Sequence, residues 1–71
     1  MEMRKIFANN LKRIRHEQGM SQEELAYLAG LDRTYISSLE RCVYSVSIDV
    51  IEKLSIVLNI NPEELLKNNK K

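Results

Sequence analysis

One cysteine, one proline and two glycines among 71 residues are the first notable features of this chain, and each scarcity excludes something. Cys42 has no partner for an internal disulfide, which fits a reducing cytoplasm, so a cytoplasmic location is expected. With so few glycines and prolines, and few β-branched runs, the chain favours helices over strands and long loops. No apolar run approaches the ~20 residues needed to cross a bilayer, and neither a signal peptide nor a membrane partner is expected. There is no Ser-His-Asp arrangement, no pair of catalytic carboxylates and no glycine-rich phosphate loop, so an enzyme is not expected. His16 and Cys42 lack a third neighbouring ligand, so no metal is expected, nor any cofactor or small-molecule ligand. The length suits one domain over residues 1–71, too small for a buried enzyme cleft plus a large core. A core of this size rarely supplies more than about 3–5 kcal/mol, so association with a second copy would help.

What is present is a helical pattern organised around residues 21–41, SQEELAYLAGLDRTYISSLER. It reads as two short helices joined by a tight turn. Ala26 falls where two steeply crossing helices come closest, a place for nothing larger than methyl. Gly30 falls where the turn needs a backbone conformation that strains other residues. Leu25, Ala29, Leu31, Ile36 and Leu39 supply the apolar faces. An ordinary helical hairpin needs neither the small residue nor the glycine at those places, so the stretch reads as a helix-turn-helix.

The rest of the chain extends that unit. Met3, Phe7, Leu11 and Ile14 recur at three- and four-residue steps, predicting a first helix over about residues 2–18, flanked by Ile6 and Asn10 and ended by Gly19. Ser21 with Glu24 forms a capping box for the second helix, and Asp32 caps the third. Ser47 opens a fourth helix to about Leu58, with Ile48, Ile51, Leu54, Ser55 and Leu58 on its buried side. Asn61, Pro62 and Glu64 mark a short fifth helix. The expected fold is all-α, a compact five-helix domain.

The net charge is only +1, yet Arg4, Lys5, Lys12, Arg13 and Arg15 lie between Met3 and His16 with no acidic residue among them. Lys67, Lys70 and Lys71 make the tail, residues 67–71, basic again. Acidic residues gather at helix starts, where the dipole favours them: Glu23 and Glu24, Asp49 and Glu52, Glu63 and Glu64. A basic face is compatible with this nearly neutral sum, as is a merely solvated helix face.

From Phe7 to Leu66 the chain resembles the lambda-repressor-like, Cro/repressor family of DNA-binding domains. LDRTYISSLER most resembles the controller proteins of restriction-modification systems, small dimeric transcription regulators built from this domain alone. The resemblance implies a bacterial or phage regulator bound to a double-stranded DNA operator, with the helix from Arg33 to Glu40 in the major groove. It implies that Gln22 holds a phosphate at the start of the second helix, and that Arg15 pairs with Glu40. Arg33, at the helix start, has a fork matching O6 and N7 of guanine, and Thr34, Tyr35 and Ser38 are further candidates for base readout. Tyr35 suits packing against the first helix equally well. Ser37, Arg41, Tyr44, Ser45 and Ser47 are the other phosphate candidates. After Arg41 such proteins usually carry glycine and a polar, often arginine-containing loop; here stand Cys42, Val43, Tyr44, Ser45 and Val46, so no arginine contact carries over. If Cys42 takes glycine's left-handed conformation, it costs about 1–2 kcal/mol.

Apolar residues beyond one core stripe, among them Val50, Ile56 and Val57, predict a two-fold homodimer built from Val57, Ile60, Leu65 and Leu66. The alternative reading keeps the fold but makes the protein a phage- or plasmid-type repressor, or an antitoxin-like protein-interaction module. Arg33 and Thr34 favour DNA, since a pure interaction surface is more often apolar there.

Overall fold

Ser21, Asp32 and Ser47 each stand one residue before a helix, and each caps it with a side-chain oxygen. In the computed structural model, which describes residues 3–68, Ser21 accepts from the Glu24 N–H at 2.9 Å, Asp32 from Thr34 at 3.2 Å and Ser47 from Val50 at 3.1 Å. The helices are α1 (Met3–Glu17), α2 (Gln22–Ala29), α3 (Arg33–Glu40) and α4 (Ile48–Leu58), followed by a 3-10 turn at Pro62–Leu65. Among the described residues there is no strand. Glu2, where the first helix was expected to begin, and Lys70 and Lys71 of the basic tail lie outside the described residues.

All four helices end the same way. A residue in the left-handed region follows each: Gly19 (φ 65°), Gly30 (φ 69°), Cys42 (φ 64°) and Asn59 (φ 58°). The N–H of the next residue then closes back five positions, Met20 to Arg15, Leu31 to Ala26, Val43 to Ser38 and Ile60 to Ser55, at 2.8–3.1 Å. This closure satisfies carbonyls that a helix end leaves open and turns the chain sharply enough for neighbouring helices to pack. Gly30 makes the turn of the helix-turn-helix this way, and open space surrounds the position of a Cβ there. Conformation, not crowding, therefore selects glycine.

Cys42 adopts the same conformation with a side chain. Cys42→Gly should relieve about 1–2 kcal/mol of left-handed strain and cost about 0.5–1 kcal/mol of chain entropy, a net stabilisation of up to about 1.5 kcal/mol. Urea unfolding checks this; a variant less stable than the wild type would show that the Cys42 side chain holds the loop by contacts that outweigh the strain.

The core joins Phe7, Leu11 and Ile14 of α1, Leu25 and Ala26 of α2, Ile36 and Leu39 of α3, and Ile51, Leu54 and Leu58 of α4, with Leu65 beneath the C-terminal turn. Each fully buried leucine contributes about 1.5–3 kcal/mol relative to exposure. α2 packs on α3 and α4, while α1 packs on α3 and on the 3-10 turn. Two residues expected inward face out: Met3 is 46% exposed and Ile48 82% exposed. Both stand at the first position of their helices, before the packed stripe begins.

The expected fifth helix is instead one 3-10 turn of four residues. Asn61 makes no side-chain cap there. Buried Asn10, from α1, donates through Nδ2 to the carbonyls of Leu65 at 3.0 Å and Lys67 at 2.8 Å, acceptors that a continuing helix would use itself. A single turn without that continuation does not recover the cost of helix nucleation.

Candidate nucleic-acid interface

α3 buries Ile36 and Leu39, which fixes the face it presents. Thr34, Ser37, Ser38 and Arg41 recur at three- and four-residue steps on the opposite side, and Arg33 precedes them at the first helical position. Arg33, Thr34 and Arg41 are exposed, while Ser37 and Ser38 are half-buried. The outward face is thus hydroxyls between two guanidinium groups. Glu40, the one acidic side chain of α3, is turned inward, so it does not compete with this positive face.

That inward turn is held by Arg15. Arg15 Nε donates to Glu40 Oε2 at 2.7 Å and Nη2 donates to Oε1 at 2.9 Å, a bidentate pair whose side chains are 7% and 3% exposed. Arg15 Nη1 also donates to the Met20 carbonyl at 2.8 Å, and His16 Nε2 lies 3.2 Å from Nη2. Gln22 Nε2 adds a hydrogen bond to Glu40 Oε1 at 3.1 Å. One carboxylate therefore ties α3 to α1 and to the first residue of α2. Burial pushes the Glu40 pKa up, but hydrogen bonds from Arg15 and Gln22 and the nearby positive charge outweigh it and hold the carboxyl below its ordinary value. The same hydrogen bond raises the Arg15 pKa against the opposing effect of burial, so the pair is charged on both sides.

Gln22, half-buried, donates one N–H of its side-chain amide to Glu40, and the second N–H of the same nitrogen is the donor its side chain has left at the helix start. Ser47 is exposed and serves as the α4 cap. Tyr44 and Ser45 are exposed in the loop between α3 and α4. Tyr35 is half-buried against the core, and its ring meets that of Tyr44 at 6.5 Å between centroids, tilted by 35°. The basic run of α1 does not form one free patch. Arg15 is buried, Arg13 donates to Glu17 and Asn10 at 3.3 and 3.2 Å, and Arg4, Lys5 and Lys12 are exposed.

The residues expected at a dimer contact divide. Leu65 is 0% exposed, sealed under the turn by α1 and α4, and so has no surface to offer a second chain. Val57 and Ile60 are half-buried, Leu66 is 36% exposed, and Ile56 beside them is 70% exposed. A shallow groove lined by Ser55, Ile56, Asn59, Ile60, Asn61 and Glu64 runs along this edge.

Among the contacts that the residues alone do not announce are two polar ones, the Asn10 clamp and Gln18 Nε2 donating to the Leu58 carbonyl at 2.7 Å, and one aromatic one, the Tyr35–Tyr44 pair. The first had a signal, since a polar residue adjoining the Phe7/Leu11/Ile14 stripe is buried only with partners. Among the described residues, no group of three or more His, Cys, Asp or Glu side chains is placed to hold a metal, and no helix is long and apolar enough to cross a membrane.

Comparison with known proteins places this geometry. A Helix-turn-helix family profile matches residues 11–65. A hypothetical transcription factor of Neisseria meningitidis is 40% identical over 65 residues, covering 92% of this chain; the chain spans 61% of that protein's length. Control protein C.BamHI of Bacillus amyloliquefaciens is 45% identical over 65 residues, covering 90% of this chain and 80% of its own length. The solved structure of the restriction-modification controller protein C.Esp1396I, a tetramer in complex with its natural 35 base-pair operator, superposes with a TM-score of 0.81 at 35% identity, covering 94% of this chain and 99% of that one. The chain belongs to the helix-turn-helix family and, within it, is similar to the restriction-modification controller proteins.

Proposed function

We propose that the protein is a sequence-specific, double-stranded DNA-binding transcription regulator of the controller type, acting in the cytoplasm as a homodimer on a near-palindromic operator. The observation that carries this reading is the outward face of α3: exposed Arg33, Thr34 and Arg41 with Ser37 and Ser38 between them, and the helix's carboxylate withdrawn into an ion pair. Such a face donates hydrogen bonds to base edges and phosphates, whereas a face made for a protein partner is depleted of charge at its centre. The similarity to control protein C.BamHI and to an operator-bound controller supports the same reading.

Arg33 and Thr34 enter the major groove, and Tyr35 and Ser38 reach toward base edges. Gln22, Ser37, Arg41, Ser45 and Ser47 hold phosphates, Gln22 together with the free N–H groups of the first turn of α2. Two copies meet along Ile56, Val57, Ile60 and Leu66, in a two-fold contact that doubles the phosphate contacts available to a chain of net charge +1.

Arg33→Ala should weaken operator binding by about 1–3 kcal/mol and relax base choice at one position in each half-site. Fluorescence anisotropy against a panel of single-base operator variants reads this directly. An unchanged preference at every position would remove Arg33 from the readout.

A further inference from the structure

We propose that Tyr44 is a positioning residue for base readout: its ring braces Tyr35, so that the 42–47 loop and the recognition helix read DNA as one unit. This rests on the DNA-binding reading above. The centroid distance of 6.5 Å and the tilt of 35° fall within the range where aromatic rings attract one another. Tyr35 touches two supports, the core and the Tyr44 ring. Its ring orientation is therefore set jointly by α3 and the loop.

The loop is built to hold Tyr44 in that place. At its start, Cys42 N–H donates to the Leu39 carbonyl at 3.1 Å and Val43 N–H to the Ser38 carbonyl at 2.9 Å, both acceptors on α3. Reaching that closure requires the left-handed conformation of Cys42, φ 64°, which a non-glycine residue adopts only at a cost. At its end, Val46 packs against the core and Ser47 caps α4. Only Tyr44 and Ser45 lie between these anchors, and both are exposed. From Cys42 to Ser47 there is no lysine, arginine or glycine, so this loop offers neither a cationic arm nor a flexible one. Its one large side chain lies against a residue on the recognition helix. A loop anchored at both ends and carrying that contact is suited to orienting a neighbour, while a phosphate grip alone would need only a donor.

The test uses the full-length chain, its operator, and the same DNA with scrambled sequence. Tyr44→Leu removes the ring but keeps apolar bulk. It should weaken operator binding by about 3–10-fold, leave binding to scrambled DNA unchanged, and relax preference at the base pair that Tyr35→Leu also relaxes. Tyr44→Phe, which keeps the ring and loses the hydroxyl, should retain the base-preference profile whatever it does to overall affinity. Tyr35→Leu/Tyr44→Leu should be no more permissive than Tyr35→Leu alone. Circular dichroism melts confirm that each variant is folded before binding is compared. An equal loss on operator and scrambled DNA would make Tyr44 a phosphate contact and overturn the proposal, as would an unchanged profile for Tyr44→Leu or an additive double variant. A wild-type chain that prefers no sequence would instead overturn the DNA-reading account, an outcome distinguishable from all of these.

Discussion

Replacing Glu40 with alanine is expected to cost about 3–5 kcal/mol of folding stability, because it leaves the buried Arg15 guanidinium with no counter-charge. That loss is comparable with the about 3–5 kcal/mol a core of this size supplies, so the variant should be largely unfolded at 25 °C. The loss reflects an orphaned charge and not the net worth of the pair, since desolvating both groups consumes most of their attraction. A double replacement, Arg15→Met with Glu40→Leu, removes both charges together and should recover most of the stability. Urea denaturation of the three proteins separates these cases. A Glu40→Ala protein as stable as the wild type would mean that the pair is open to solvent.

The same pair gives an acid limit. Glu40 has a folded-state pKa below its ordinary value of 4.5, so the unfolded chain binds the proton more readily. The contribution of the pair is therefore fully present above about pH 4.5 and is lost as pH falls through the folded-state value. The consequence for function is indirect. When Glu40 protonates, α3 loses its tie to α1 and to Gln22 together, so operator binding and stability should fail over one pH interval.

Ile60→Asp is expected to abolish the dimer while leaving the fold in place, because Ile60 is only half-buried at the groove edge. A single chain retains one recognition helix and half the base contacts. Each lost base-pair contact costs about 1–3 kcal/mol, so operator affinity should fall by roughly 100-fold or more. Sedimentation at micromolar concentration reads the first effect and anisotropy titration the second. A variant that remains dimeric would move the interface elsewhere on the molecule.

The parts of the fold legible in the sequence were those specified locally. Ser21, Asp32 and Ser47 cap helices within three residues of themselves, and Gly30 marks its turn by its own backbone angle. Leu25, Ala26, Ile36 and Leu39 declare a face through spacing alone. What was missed depends on partners far away in the chain. The C-terminal segment is a 3-10 turn partly because Asn10, 55 residues earlier, takes the Leu65 carbonyl. The sequence reading puts Leu65 at the dimer contact, and it errs because in so short a segment an apolar side chain serves core or interface equally well. The structure places it in the core and leaves Ile56 outside. Glu40 beside Arg15 followed only from the family resemblance. Nothing in CVYSVS announces that Tyr44 would lie on Tyr35, since that contact depends on the left-handed turn at Cys42.

The most direct test of the central claim is a hydroxyl-radical footprint of the wild-type protein on the DNA upstream of its own gene, with the stoichiometry measured on the same fragment. Two protected half-sites on one face of the duplex are expected, related by a dyad, with centres about 34 Å apart and two chains per site. A chain that protects a single half-site tightly as a monomer, or protects all sequences alike, would contradict it.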